Sequence, residues 1–294
     1  MDKFEEELLK MIDDIFNTTD KNHNEILEMY HKSQTNIISF FSFLFSEYGK
    51  DGQLDYAELE KYNRMQKVDD FLKEESKNMI KAEIAITTSI LVAAYANTYY
   101  KSAYVMDKYM GNFEVGISYK LLKKEFINEI VNYNWSGIPF SQRIYKNHEF
   151  LIQTLKTELA NGVRQGESVD KIATRVKNQM GIRYNQSRTL IRTESARVIA
   201  SAQEKIYQDS GVVKELIYTA TLDNKTTQFC RKHDGNRYKI DDPKRPSLPA
   251  HINCRSAWIP AVKDYQPKVR KDNENKQIIK YKNYEEWSKT KGIK

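Results

Sequence analysis

The sequence contains little cysteine, proline and glycine: two Cys, six Pro and eleven Gly in 294 residues. Two cysteines are too few for a secreted scaffold held together by disulfides. Residues 1–7 are mostly acidic and lack the basic and then apolar order of a signal peptide, so we expect no secretion. These absences together favour a reducing compartment.

Long hydrophobic runs are also missing. The seventeen uncharged residues between Glu83 and Lys101 include three tyrosines and several hydroxyl or amide side chains, and they fall short of a comfortable bilayer span. This stretch predicts a buried helix, and no membrane partner is expected. The chain also lacks a phosphate-binding loop and a nucleophile motif, which argues against an enzyme.

The composition, 30% charged and 40% hydrophobic, predicts a globular protein of two domains and a tail. Helical periodicity dominates the first half and β-forming segments follow Gly211, so the predicted fold class is α+β. A break at Gly137 and Pro139 coincides with a change from acidic to basic composition. We therefore predict a helical N-terminal region over residues 1–134, a smaller α+β domain over 135–262 and a basic C-terminal tail over 263–294.

Individual elements are predicted from the spacing of apolar residues. Gly211 is expected to close the last long helix. The predicted helices cover residues 8–16, 37–45, 69–110, 121–130, 151–159, 168–180 and 184–210, and the predicted strands cover 215–222, 237–240 and 255–259.

Residues 47–58 place acidic side chains at several positions of a calcium-binding loop. Gly49 stands at the third position, where an oxygen ligand is needed, and no partner loop follows. The pattern therefore favours a turn between two helices over a calcium site.

Charge is distributed unevenly along the chain, whose net charge is +7. Residues 1–80 carry ten basic and eighteen acidic side chains, or −8, and the remaining 214 residues carry +15. The tail after Val262 contributes ten basic and five acidic side chains. This split predicts one part that faces a protein partner and another that faces a polyanion such as DNA.

Both cysteines lie in a pattern typical of metal ligands. Cys230 and His233 form one pair at x-x spacing, and His251 and Cys254 form a second pair. Two sulfurs and two imidazoles would supply a closed tetrahedral set of the kind that structural zinc prefers. Two alternatives stay open: His233 ends a short helix and points into solvent, or Cys230 and Cys254 form a disulfide.

Other residues surround these pairs in a recognisable order. They are Arg192, Thr193, Glu194, Asp223, Asp234, Gly235 and Arg255, with a segment around Trp135 and Arg143 upstream. Together with the cysteines and histidines, this order over about residues 135–262 resembles the phage head morphogenesis family, the minor capsid proteins of phages such as SPP1 and Mu.

The sequence departs from the family pattern at three positions. Thr227 and Ser256 stand where the family has cysteines, and Ile252 stands where it has proline. The number of thiolates is therefore half that of the pattern, and His233 and His251 are the obvious replacements.

Glu194 allows two interpretations. It can pair with Arg197 at i, i+3 on one helix face. Alternatively, it reaches the cysteine and histidine pairs, either as a partner of a histidine or as a carboxylate in an active site.

The resemblance implies a structural role. Members of the family are minor capsid components associated with the portal protein and with packaged DNA, which implies other head proteins as partners, a place in the virion and assembly in the host cytoplasm. An enzyme, such as a metal-dependent nuclease or a toxin-like transferase, is the alternative, and a zinc-dependent DNA-binding module is another.

Overall fold

Long helices build most of the protein, whose computed structural model describes residues 2–110, 120–261 and 266–292. The α-helices are α1 (Asp2–Tyr48), α2 (Tyr56–Glu60), α3 (Arg64–Met110), α4 (Lys124–Asn132), α5 (Phe140–Arg164), α6 (Val169–Asp209), α7 (Gln228–His233) and α8 (Tyr284–Lys291). The strands are β1 (Glu215–Thr219), β2 (Arg237–Lys239), β3 (Ala257–Ala261), β4 (Val269–Asp272) and β5 (Gln277–Lys280). The α+β fold class predicted from the sequence is confirmed.

Helix α1 ends where the sequence predicts a turn. Gly49 donates its N–H to the carbonyl of Phe45, and a Cβ at Gly49 would lie 2.3 Å from that oxygen. Lys50 and Gln53 then exchange two backbone hydrogen bonds across a two-residue turn. Only glycine fits at position 49, so the sequence itself determines where α1 ends.

Two acidic residues of the segment 47–58, which resembles a calcium-binding loop, have partners within the protein. The Asp55 carboxylate accepts a hydrogen bond from the backbone N–H of Ala57 at 2.7 Å and caps α2. Glu58 forms ion pairs with Lys61 and Arg64. This segment therefore forms a turn between two helices.

Helix α3 contains the apolar stretch noted in the sequence. In the part of the chain that the structure describes, the stretch Tyr56–Tyr109 is long and apolar enough to cross a membrane, a property that the core helices of globular proteins share. Along it Leu91, Tyr95, Tyr99 and Met106 are fully buried by the rest of the chain. Their spacing of four, four and seven residues marks the face of α3 that packs inward.

Helix α6 corrects one prediction. The sequence predicted two helices, over 168–180 and 184–210, but the structure has one continuous helix of 41 residues. Gly181 lies inside it with nothing within 4 Å of the place where a Cβ would stand. A glycine costs a helix only about 1 kcal/mol, and Met180, Ile191 and neighbouring side chains that bury one face of α6 outweigh that cost.

Two glycines on neighbouring helices give opposite predictions. Gly181→Ala is expected to stabilise the protein by about 0.5–1 kcal/mol, because it restricts the unfolded chain and meets no atom. Gly162→Ala is expected to destabilise it by about 1–3 kcal/mol, because its Cβ would lie 2.6 Å from Cγ1 of buried Ile172. Denaturant unfolding measures both, and equal effects of the two substitutions would contradict the packing described here.

The chain forms two compact units, each assembled from separate segments. The sheet unit comprises Met1–Lys21, Ile90–Val131 and Ile191–Lys294, and the helical unit comprises Asn22–Ser89 and Asn132–Leu190. Helices α1, α3 and α6 each contribute residues to both units. The boundaries predicted at residues 134 and 262 follow chain order instead, and that division stays a prediction.

The charge split along the sequence is not a split between the units. The sheet unit has 30 basic and 24 acidic side chains, or +6, and the helical unit has 17 and 16, or +1. Acidic residues 1–21 belong to the same unit as the basic C-terminal segment, and Asp13 forms an ion pair with Lys271 there. The acidic and basic parts of the sequence are therefore not separated into the two units of the fold.

The sheet lies in the sheet unit and has the antiparallel order β2-β1-β3. In the register, Leu216 pairs with Tyr238 on one side and with Pro260 on the other. All five residues of β3 are buried, whereas β2 alternates between exposed and half-buried. Strand β1 is thus the central strand, paired on both sides. The three strands predicted from the sequence are all present within a few residues of their predicted bounds.

The predicted basic tail contains folded elements. Residues 266–292 form the antiparallel hairpin β4–β5 and then α8, which begins with a capping box between Asn283 and Glu286. Tyr284 and Trp287 pack with Leu222, and all three are buried. Tyr284 and Trp287 are therefore core residues of the sheet unit.

A buried polar network lies in the helical unit. The Glu83 carboxylate lies 2.7 Å from Nε2 of His148 and accepts hydrogen bonds from the hydroxyls of Ser187, at 2.5 Å, and Tyr30, at 3.2 Å. These four residues are almost fully buried. They come from α1, α3, α5 and α6, so one carboxylate links the four helices of this unit.

Candidate functional site

A cavity of about 560 Å³ in the sheet unit collects most of the motif residues. It is bounded by the N-terminal part of α1, the second half of α6, the loop before α7 and the loop before β3. Its lining includes Asp20, Arg192, Ser195, Thr221, Asp223, Lys225, Thr227, Cys230, His251, Asn253, Cys254, Arg255 and Ser256. Residues that are far apart in the sequence therefore meet at one polar cavity.

Three of the four predicted metal ligands lie together on the wall of this cavity. The ligand atoms of Cys230, His251 and Cys254 are within 4.8 Å of one another, the one such group of His, Cys, Asp and Glu side chains found among the described residues. The Sγ atom of Cys230 lies 3.2 Å from Nε2 of His251. Both cysteines are buried and both carry free thiols.

His233 does not join this group. Its Nδ1 lies 2.6 Å from the hydroxyl of Tyr238, and its ring packs against Phe229 with centroids 4.4 Å apart. It ends α7, as one of the sequence-based alternatives proposed, but its ring contacts other aromatic rings. The structure therefore assembles a three-residue group in place of the predicted set of four.

The two thiols have different surroundings. Hydrogen bonds from Cys254, Ser256, Tyr218 and Thr227 lower the pKa of Cys230, although burial opposes this effect. The pKa of Cys254 is raised, first by its hydrogen bond to Cys230 and then by burial. The pKa values of the two thiols are thus shifted in opposite directions, down for Cys230 and up for Cys254.

The three consecutive residues Arg192, Thr193 and Glu194 of α6 contact different parts of the sheet unit. Arg192 makes a bidentate ion pair with Asp20, at 2.8 and 3.0 Å. The Thr193 hydroxyl oxygen accepts a hydrogen bond from the backbone N–H of Asn253 at 3.1 Å, which fixes the loop that carries His251 and Cys254. Glu194, one residue further along, points into the protein interior, where it is 2% exposed.

Glu194 makes the pair with Arg197 that one of its two interpretations predicted. Its carboxylate accepts a hydrogen bond from Nε of Arg197 at 2.8 Å, and both side chains are buried. Arg197 in turn donates to the carbonyls of Ile130 and Val131 at the end of α4, each at 2.9 Å. The pair therefore joins α6 to the last turn of α4.

Asp223 organises the loop before α7. Its carboxylate accepts hydrogen bonds from the backbone N–H of Lys225 and the hydroxyl of Thr226, both at 2.9 Å. Its carbonyl accepts a hydrogen bond from the Tyr284 hydroxyl at 2.8 Å. The loop is thereby tied to α8, and its residues turn toward the cavity.

Asp234 and Gly235 connect the C-terminal segment to the domain. The Asp234 carboxylate receives two hydrogen bonds from Arg270, at 3.0 and 3.1 Å, and one each from the backbone N–H groups of Ala220 and Tyr284. Gly235 has φ +79°, and a Cβ there would lie 2.9 Å from the Tyr281 hydroxyl. The Asp-Gly motif therefore serves the packing of residues 266–292, away from the cysteines.

Arg255 also lines the cavity. Its guanidinium lies 3.7 Å from the Asp13 carboxylate and stacks 5.0 Å from the centroid of the Phe16 ring. Both contacts attach the loop after Cys254 to α1. Arg192 and Arg255 thus bind Asp20 and Asp13 of α1, and these residues all belong to the sheet unit.

The sequence is similar to known phage proteins. Residues 153–259 match the family described as Phage Mu protein F like protein. The chain is 26% identical over 308 aligned positions to the minor head protein GP7 of Bacillus phage SPP1, covering 98% of this chain and 97% of that protein. These two matches support a phage minor head protein family for this chain. No solved structure matches it.

A second relative of the chain is an enzyme. The NAD(+)--arginine ADP-ribosyltransferase EFV of Enterococcus faecalis is 27% identical over 188 aligned positions, which cover 59% of this chain and 39% of that protein. The chain thus spans well under half of the transferase. The match to the minor head protein extends over nearly the whole of both chains.

Sequence reasoning missed three residues of the site region. Asp20 belongs to an acidic helix more than 170 residues from Arg192, so no local spacing signals their ion pair. Ser195 follows the Arg-Thr-Glu segment directly, and its buried hydroxyl lines the cavity with no hydrogen-bond partner in the described chain. Arg270, the buried partner of Asp234, was counted as one of the charges of the tail.

Proposed function

We propose that this protein is a minor structural component of a tailed-phage head, incorporated during head assembly through contact with the portal protein. The observation that carries the proposal is the extent of the similarity to a minor head protein, which includes both the helical first half and the motif-bearing second half. A protein that shared only the domain over 153–259 would share only a module. Agreement over the whole length supports a shared role.

We place the portal contact on an aromatic cluster of the helical unit formed by Phe43, Tyr48, Tyr62 and Arg64. Tyr62 is 81% exposed and has φ +53°, a conformation that is strained for a tyrosine. The Arg64 guanidinium lies 3.7 Å from the Tyr48 ring centroid and 5.3 Å from that of Tyr62. Exposed aromatic and arginine side chains are the residues most enriched in protein interfaces.

Co-purification with the portal protein tests this contact. The chain and the portal protein of the same phage would be co-expressed, and capture of one should recover the other. The Phe43→Ser, Tyr62→Asn double variant should reduce recovery at least about tenfold, since central aromatic residues contribute about 2 kcal/mol or more each. Tyr104→Ser changes an exposed tyrosine of the sheet unit and serves as the control. Equal recovery with both variants would place the contact elsewhere.

Association with packaged DNA is the second part of the proposal. Several cations of the C-terminal segment have internal partners, among them Arg270 with Asp234, Lys271 with Asp13 and Lys291 with Asp272. We therefore expect contact through the net positive charge of the sheet unit, with few phosphates engaged. Duplex binding should weaken with salt at a shallow slope, and a slope typical of about six or more phosphates would contradict this.

The proposed role is not enzymatic. The transferase relative is matched over only 39% of its length, and Glu194 is held by Arg197 in a buried ion pair. Incubation of the purified protein with NAD⁺ and an arginine-containing acceptor should give no transfer above a no-protein control. A turnover that Glu194→Ala abolished, with assembly left intact, would favour the enzyme instead.

A further inference from the structure

The group formed by Cys230, His251 and Cys254 has nearly the spacing of a metal site. A tetrahedral zinc ion with Zn–S near 2.3 Å and Zn–N near 2.0–2.1 Å sets neighbouring ligand atoms roughly 3.5–3.8 Å apart. The three ligand atoms lie within 4.8 Å of one another, and Cys230 Sγ is 3.2 Å from His251 Nε2. Side-chain movements of a few tenths of an ångström to about one ångström would suffice for them to share an ion.

The orientation of His251 is the one that a ligand needs. Its Nδ1 lies 2.8 Å from the carbonyl oxygen of Ile252. Because a carbonyl can only accept, Nδ1 carries the hydrogen, and the lone pair of Nε2 faces the Cys230 sulfur. Histidine ligands in metal sites commonly donate their other N–H to a carbonyl or carboxylate, which fixes the ring and its tautomer.

The two positions where cysteines of the family pattern are replaced border the same group. Thr227 and Ser256 line the cavity together with Cys230, His251 and Cys254. The Thr227 hydroxyl caps α7 by accepting from the Cys230 N–H at 3.5 Å, and Ser256 lies two residues beyond Cys254. Hydroxyls are weaker zinc ligands than thiolates, so these side chains leave one coordination position to the cavity.

We propose that Cys230, His251 and Cys254 bind one zinc ion, with the fourth coordination position open to the cavity and occupied by water. The ion joins the first turn of α7 to the loop before β3. This set differs from the four-residue set that includes His233, and it does not depend on the role of the protein in the phage head.

Metal content of the full-length protein, purified under reducing conditions without chelators, tests the site. We expect close to one zinc per chain, lost in Cys230→Ser and Cys254→Ser and weakened in His251→Ala. Cobalt substitution should give the visible bands of a tetrahedral ion and a thiolate-to-cobalt charge-transfer band. His233→Ala is the matched control, because His233 lies in the same motif but outside the group, and it should keep both the metal and the bands.

A gain-of-binding variant keeps the test informative if the cysteine variants fail to fold. Thr227→Cys combined with Ser256→Cys adds thiolates at the open side of the site. This double variant should bind zinc at least about tenfold more tightly than the natural sequence in competition with a chromogenic chelator.

Three results would overturn the proposal. The first is absence of zinc from the natural sequence after exposure to stoichiometric zinc, whatever the double variant does. The second is an intact mass lower by two hydrogens in protein purified under reducing conditions, which would show a Cys230–Cys254 disulfide. The third is loss of metal in His233→Ala to the same degree as in the cysteine variants, which would restore the set of four.

Discussion

Replacing Asp234 with alanine is expected to destabilise the protein by about 3–5 kcal/mol, because it leaves the Arg270 guanidinium buried without its counter-charge. The two side chains are 0% and 3% exposed, and Asp234 also accepts hydrogen bonds from the N–H groups of Ala220 and Tyr284. Arg270 donates to the carbonyl of Ala220 as well, at 2.6 Å. One substitution therefore leaves an unpaired cation and two unpaired N–H donors in the interior.

The loss of stability should be largest in the C-terminal segment. Since Asp234 connects the C-terminal elements to the rest of the sheet unit, limited proteolysis of Asp234→Ala should cut within residues 266–292 before it cuts elsewhere. Glu285→Ala, which breaks the exposed Glu285–Lys289 pair, should change neither the unfolding midpoint nor the proteolysis pattern measurably. A loss below about 1 kcal/mol in Asp234→Ala would show that the ion pair does not hold the segment.

Glu83→Leu is expected to cost about 3–5 kcal/mol in the helical unit. The carboxylate is the shared partner of His148, Ser187 and Tyr30, all buried, and leucine offers none of them an acceptor. Equilibrium denaturation followed by circular dichroism measures the loss. Thermal midpoints of the same variants give an independent check.

Combining substitutions separates the carboxylate from the partners it satisfies. Glu83→Leu together with His148→Leu and Ser187→Ala removes three of the polar groups at once, and this variant should recover most of the stability that Glu83→Leu loses. Such recovery is expected because replacing a whole buried polar cluster by apolar side chains is often neutral. Additive losses across the three substitutions would mean that the side chains act independently and that the network does not exist as described.

Local patterns in the sequence were sufficient for most elements. The antiparallel sheet strands and the end of α6 at Gly211 follow from short-range signals, namely β-formers at 215–222 and a glycine with φ +69°. The predicted break near Gly181 was wrong, because the cost of one glycine is small compared with the burial of the residues on either side. Short-range rules count the helix propensity of Gly181 but not the tertiary contacts of the residues around it.

Long-range charge pairing was beyond the reach of the sequence. Nothing local indicates that Arg192 binds Asp20 or that Arg270 binds Asp234, since each pair is separated by tens to hundreds of residues. For the same reason the acidic start and the basic end of the chain looked like separate functional surfaces, although Glu5 and Asp13 contact Lys268, Val269 and Lys271 in one unit. The spacing of Cys230, His251 and Cys254 predicted a meeting point, and only the fold could show that His233 turns away to Tyr238.

Counting this protein against the portal protein in purified particles tests the central claim most directly. Quantitative mass spectrometry would be applied to virions and to DNA-free procapsids from an induced lysate of the source strain. A minor head protein built in during assembly should be present at a few copies per portal in both particles. Absence from both would contradict the account and point to a transient assembly factor or to an enzyme.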